Sequence, residues 1–197
     1  MINQVMKSLG TISEMMFDRG LKSFARQINE LDRGEIQQLV LQKHIFCFDF
    51  KEDNGNTLRL LYAMQPKFKL SEIKKLLEED FDLTIIILRE KMSTTNIKSI
   101  DEYRKNCKDM QVFYLAELMF NKTKHFLVPK HELMGHESEE EIQKLVEKYL
   151  VRNRFQFPWI LKTDPIAKYF NGKTGNMFKI TRSSPTAGEY VEYRCCA

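Results

Sequence analysis

Several groupings of residues in this chain have the types and spacing from which chemistry is built, and each makes a different demand on the fold. Gly172-Lys173-Thr174 reads like the end of a phosphate-binding loop, where glycines let backbone amides approach phosphate oxygens before a helix begins. The earlier glycine of such a loop is Ala167 here, no strand precedes it, and Gly175 interrupts the helix that should follow. A turn made by Gly172 and Gly175 accounts for the same residues. Asp49 with Glu72-Ile73-Lys74 mimics the carboxylates and lysine of a metal-dependent nuclease, which must converge at a sheet to hold a metal and activate water. Glu72, however, falls in the first turn of an expected helix, where a solvated acid favours the dipole. Lys91, Ser93, Thr94, Thr95 and Lys98 form another group: hydroxyls and amides at a helix start, flanked by cations, suit nucleic-acid phosphates. A Ser/Thr-capped helix start explains that group as well.

His125, His131 and His136 lie six and five residues apart with no cysteine pair nearby, which suits no common zinc module. Cys47, Cys107, Cys195 and Cys196 show no C-x-x-C spacing, so reduced thiols in an intracellular protein are expected. None of the four histidines stands beside a nucleophile motif. The residues therefore imply no cofactor, no metal, no small-molecule substrate and no catalysis by this chain alone.

The elements that must position these groups are legible in the apolar pattern. Val5, Leu9, Ile12 and Met16 draw one stripe on a helix that ends at Asp18-Arg19-Gly20, with Met6, Met15 and Met16 widening it. Residues 45–50 and 57–63 are rich in aromatic and branched side chains and flank Asp53-Asn54-Gly55-Asn56, whose Asn-Gly pair predicts a tight hairpin. Ser71 caps a helix carrying Ile73, Leu76 and Leu77, and the uninterrupted apolar run 83–88 predicts a strand covered on both faces. Downstream, Ser138-Glu139-Glu140-Glu141 opens a helix with Ile142, Leu145, Val146 and Tyr149 on its apolar side. Residues 164–194 read as a turn and short helix followed by two strands, 176–181 and 189–194, separated by Ser183, Ser184, Pro185 and Gly188.

With 197 residues, 43% hydrophobic and 29% charged, the chain is long enough for one or two domains with real cores. Lys and Arg outnumber Asp and Glu by 20 to 18 over residues 1–124 and by 11 to 9 over 125–197, so neither half is a basic tail. No apolar run approaches the ~20 residues of a membrane span, and the N-terminus lacks a signal-peptide core. The sequon Asn121-Lys122-Thr123 is accordingly expected to go unused. The pattern changes character near 121–130, which places a domain boundary there.

The strings D-P-I-A-K-Y-F from Asp164, G-N-M-F-K-I from Gly175 and T-A-G-E-Y-V-E-Y-R from Thr186 resemble the assembly signature of one RNA polymerase subunit family. Its eukaryotic members are the fifth-largest subunit, shared by the nuclear polymerases I, II and III, and a shorter counterpart is found in the archaeal enzyme. The stretch from Leu127 to Leu133 and Phe157-Pro158-Trp159-Ile160 fall in the family's order and spacing. The Asp-Arg-Gly after the first helix also resembles the opening of the eukaryotic members. The archaeal counterpart resembles the C-terminal part alone, so the added N-terminal part makes this chain similar to the eukaryotic version and to counterparts in large nucleocytoplasmic DNA viruses.

The resemblance implies an α+β two-domain protein: an N-terminal α/β sandwich jaw domain over 1–124 and a small α+β assembly domain over 125–197. It implies a non-catalytic subunit of a DNA-directed RNA polymerase that anchors on the largest subunit and helps guide downstream duplex DNA. The expected location is the nucleus for a cellular version, and the virion and host cytoplasm for a viral one. Its implied docking residues are Lys130, His131, Asp164, Pro165, Lys168, Tyr169, Arg182, Thr186, Gly188, Tyr190, Tyr193 and Arg194, with residues 91–98 at the DNA-facing loop. Asp164 equally suits a helix cap with Pro165 at the first position, and Gly188 equally supplies backbone freedom. Tyr190 and Tyr193 must project to opposite faces of a strand. The family's R-P-S-E-T-A-G-R-Y is Arg182-Ser183-Ser184-Pro185-Thr186-Ala187-Gly188-Glu189-Tyr190 here. A proline for an acid and Glu189 for a base reverse the local charge, which implies a partner with matching changes. Outside this family, the readings compatible with the residues are a free-standing metal-dependent nuclease-like enzyme and a transcription-associated adaptor.

Overall fold

The computed structural model describes residues 1–65, 81–91, 100, 108–135, 139–184, 186 and 188–197. The chain forms two compact units, Met1–Phe120 and Asn121–Ala197, each with its own four-stranded sheet and helices. This is an α+β two-domain arrangement. Ser71, Glu72, Lys74, Ser93, Thr94, Thr95, Lys98, Cys107, His136, Ser138, Pro185 and Ala187 lie outside the described residues.

In the first unit, helix α1 (Ile2–Asp18) buries Val5, Leu9, Ile12, Met15 and Met16, and Gly20 follows at φ +85°. Met15 and Met16 are thus core packing while Met6 is half-buried, and Gly20 supplies a left-handed helix stop. Short helices α2 (Lys22–Asn29) and α3 (Arg33–Gln42) follow; in α3 the Asp32 side chain accepts from the Glu35 N–H. Strands β1 (Ile45–Lys51) and β2 (Thr57–Ala63) pair antiparallel through the predicted hairpin, where Gly55 sits at φ +85°. Strand β3 (Leu83–Leu88) runs parallel to β2, and β4 (Met110–Tyr114) parallel to β3.

The register explains why β3 is buried throughout. Leu58, Leu60 and Tyr62 align with Leu83, Ile85 and Ile87 on one face, and Leu61 and Ala63 align with Ile86 and Leu88 on the other. The first face also carries Phe46, stacked on Tyr62 with ring centroids 5.1 Å apart, and faces α1, whose Ser8 hydroxyl lies 2.9 Å from the Tyr62 hydroxyl. The second face is sealed by Ile100 and Met110. All six β3 side chains are buried, as strands covered on both faces require. Asp82 sets the start of the strands: its carboxylate accepts from the Thr57 N–H and hydroxyl at 2.9 and 3.0 Å and from Lys108 at 3.0 Å. Those bonds, Lys108 first, hold its carboxyl below the ordinary range.

In the second unit, β5 (Lys130–Met134), β7 (Met177–Ser184), β8 (Gly188–Cys196) and β6 (Trp159–Ile160) form a sheet in that spatial order. Helix α4 (Glu139–Lys148) packs Ile142 and Val146 with Phe157, Met177 and Cys195 on one face. Helix α5 (Pro165–Tyr169) brings Ala167 against Ile160, Phe178, Ile180 and Cys196 on the other. Tyr149, which the pattern puts on the apolar side of α4, is half exposed and meets Phe157 and Tyr193 edge-on. Both terminal cysteines are free, and burial pushes their thiols up. Asn121, the sequon residue, is buried: its amide donates to the Tyr169 hydroxyl at 2.9 Å while its carbonyl accepts from Thr123.

A candidate docking surface on the C-terminal sheet

The β7–β8 hairpin carries Arg182, Thr186, Gly188, Tyr190, Tyr193 and Arg194, half of the docking residues read from the sequence, and it is longer than the turn-forming residues suggest. Ser183 pairs with Glu189 and Ser184 with Gly188, so strand pairing runs through both serines rather than stopping at Thr181. Gly188 adopts φ +72°, a region where a Cβ costs about 1 kcal/mol or more. β5 pairs only with residues 177–181 of β7, which leaves Arg182–Ser184 and the start of β8 as a two-stranded extension. Arg182, Thr186, Gly188, Glu189 and Tyr190 are all exposed there.

Strand alternation divides the candidates between two faces. His131, Arg182, Tyr190 and Arg194 share the face that α5 covers at its other end, because His131 aligns with Ile180 and Glu192, and Arg182 with Tyr190. Glu192 organises this face: one carboxylate oxygen meets Arg194 and the other lies 3.4 Å from Arg182. His131 turns its Nδ1 to the Pro129 carbonyl at 2.7 Å. Lys130 and Tyr193 belong to the opposite face, with Lys179 and Glu132. Lys130 pairs with Glu132, which lies 3.8 Å from Lys179 as well. The Glu132 bond raises Lys130 above the ordinary lysine range, and the same bond lowers Glu132. The candidates are therefore not one continuous set: the sequence names the cations but misses Glu132 and Glu192, whose carboxylates hold them in place.

On α5 the capping role open to Asp164 is realised. The Asp164 side chain accepts from the Ile166 N–H at 2.8 Å, with Pro165 at the first helical position. Pro165 is exposed and Lys168 half-buried, whereas Tyr169 is only 6% exposed with its hydroxyl on Asn121. Tyr169 thus holds the element in place from behind instead of presenting a surface. Lys91, from the group beyond β3, is exposed.

The phosphate-loop grouping is a packing and turn device. The Gly172 N–H donates to the Ala167 carbonyl at 2.8 Å, Gly175 N–H to Cys196 at 2.9 Å, and Lys173 N–H to the Asn176 side chain at 2.7 Å. These three amides are thus bonded within the chain and are not presented to a phosphate. A Cβ at Gly172 would lie 2.9 Å from the Phe178 ring, which is wholly buried. Gly172→Ala is expected to cost about 1–3 kcal/mol by overpacking, read as a lower urea midpoint with an unchanged far-ultraviolet spectrum. Asp49, the nuclease-like acid, is also committed: Arg59 Nε and Nη2 donate to its two oxygens at 2.7 and 2.6 Å. Arg59 is itself buried, over the Phe81 ring at 4.0 Å.

Residues 120–196, spanning nearly all of the second unit, match the family described as RNA polymerase Rpb5, C-terminal domain. Over 93% of its length the chain is 31% identical to the DNA-directed RNA polymerases I, II, and III subunit RPABC1 of Caenorhabditis elegans, covering 91% of that protein. The chain belongs to this family of RNA polymerase subunits. It is also 28% identical to the corresponding Dictyostelium discoideum subunit over 99% of this chain and 98% of the relative. With an Arabidopsis thaliana protein described as DNA-directed RNA polymerase subunit 5-like protein 1 it shares 29% identity over 98% of this chain. The family similarity thus extends through the first unit and is not confined to the C-terminal sheet.

Proposed function

We propose that this chain is a non-catalytic subunit of a multisubunit DNA-directed RNA polymerase, anchored on the largest subunit through its C-terminal unit. The observation that carries this reading is the near full-length similarity to RPABC1 relatives of matching length. The exposed β7–β8 extension and the Glu192-centred arginine pair supply a polar surface of the kind an interface rim uses. The N-terminal unit forms part of the jaw around downstream duplex DNA, with Lys91, Ser93, Thr94, Thr95 and Lys98 gripping phosphates without reading sequence. The working compartment is the nucleus for a cellular enzyme, or the virion and host cytoplasm for a viral one.

Association with the large subunits should survive molar salt, because a standard-size interface depends little on screened charge. Loss of the association in high salt would instead make the chain an adaptor. The nuclease alternative has a separate test. Purified protein incubated with labelled duplex or single-stranded DNA and Mg²⁺ or Mn²⁺ should leave the DNA intact. Cleavage that disappears in Asp49→Asn would establish the enzyme reading. Asp49→Ala should instead lower stability by about 1–3 kcal/mol, since it strips a buried arginine of a carboxylate partner.

A further inference from the structure

Strand β8 is nine residues long, yet among the described residues the side away from β7 is paired only at Cys195 and Cys196, with β6. Its backbone directions follow from the bonds at this end. Cys195 and Ala197 N–H groups donate toward β6, to the Pro158 and Ile160 carbonyls, while the Cys196 N–H donates to Asn176 beside β7. The β7–β8 register continues without a bulge to Ser184 and Gly188. Alternation therefore turns the N–H and C=O groups of Glu189, Val191 and Tyr193 outward, where no described strand lies.

The side chains of these same residues share one face. Val191 and Tyr193 are half-buried, the Tyr193 ring meets half-exposed Tyr149 at 6.2 Å between centroids, and Glu189 is exposed at the far end. An open edge backed by an aromatic shelf is a template for one more strand. We propose that an extended segment of a neighbouring polymerase subunit adds to the outer edge of β8, with apolar side chains abreast of Val191 and Tyr193 and a cation abreast of Glu189. The proposal rests on the polymerase-subunit reading and deepens it. A second copy of this chain fits less well: antiparallel pairing centred on Val191 would set Glu189 against Tyr193 and supply no cation.

Site-resolved hydrogen exchange on the assembled polymerase, read against the free full-length chain, tests this. The Glu189, Val191 and Tyr193 amides should exchange quickly in the free chain and slowly in the complex, whereas those of Glu192 and Arg194 are protected in both. Val191→Pro removes one outward N–H without touching the β7 ladder, so it should fold normally and incorporate about tenfold less well. Glu189→Lys, which alters no backbone group, should also lower incorporation. Unchanged exchange at the three amides in a chain that still co-purifies with the large subunits overturns the added strand and leaves the subunit reading intact. A chain that does not co-purify overturns the subunit reading instead. Protection of the same amides on concentrating the purified chain alone assigns the edge to a second copy and overturns the proposal.

Discussion

Lys168→Glu together with Arg182→Glu should reduce recovery of the chain in assembled polymerase at least about tenfold, since like charges facing each other across an interface cost several kcal/mol. The isolated protein should be little changed. The Arg182 side chain is 47% exposed and its contact with Glu192 is 3.4 Å, so losing it costs no more than about 1 kcal/mol. Glu192 keeps Arg194. Quantitative pull-down with a parallel thermal melt separates the two effects. Equal recovery of variant and wild type removes these side chains from the docking surface, and a collapse of the melt transfers the loss to folding.

Phe178→Ala should be the most damaging single truncation in the C-terminal unit. Phe178 is fully buried between strands and α5, packed with Ile160, Ala167, Ile180 and Cys196, with Phe170 at 6.4 Å between ring centroids. Deleting the ring should cost about 3–5 kcal/mol, which lowers the melting temperature of a unit this small by roughly 15 °C or more. The same ring makes a side chain at Gly172 impossible to accommodate without movement. Gly172→Ala should therefore lose most of its cost in the Phe178→Ala background, because the added methyl then enters the space vacated by the ring. A double-mutant cycle in urea measures this directly. Additive costs would show that Gly172 is needed for another reason.

The elements that the sequence makes plain are those where one local signal dominates. Asn54-Gly55 closes the β1–β2 hairpin, the unbroken run of β3 is buried on both faces, and Asp164-Pro165 starts α5. Helix α3 had its own signal in Asp32 and Glu35, since the Asp32 side chain caps the Glu35 amide, but only Ile36 and Val40 are buried along it. Its apolar stripe is therefore faint. β5 runs Lys-His-Glu-Leu-Met after a proline, three polar residues and then two apolar ones, and β6 is two residues long, so neither has a periodicity of its own. Both exist because β7 and β8 offer edges to pair with.

The surface was partly legible in the same way. Resemblance picks out the arginines and tyrosines of the hairpin, with Lys130 and Lys168 upstream of it in the sequence, but residue type alone does not say that Tyr169 faces inward to Asn121. Nor does it say that Lys130 and Arg182 stand on opposite faces of the sheet; register decides that. Glu192 was invisible as an organiser because its two arginine partners become neighbours only when β7 and β8 pair.

The central claim is tested most directly by the composition of what the full-length chain carries with it. A tagged copy expressed in its source cell, purified through a high-salt wash and quantified by mass spectrometry, should bring the two large polymerase subunits in near-equal molar amounts. Recovery of the chain alone, or with only traces of those subunits, would contradict its place in the enzyme.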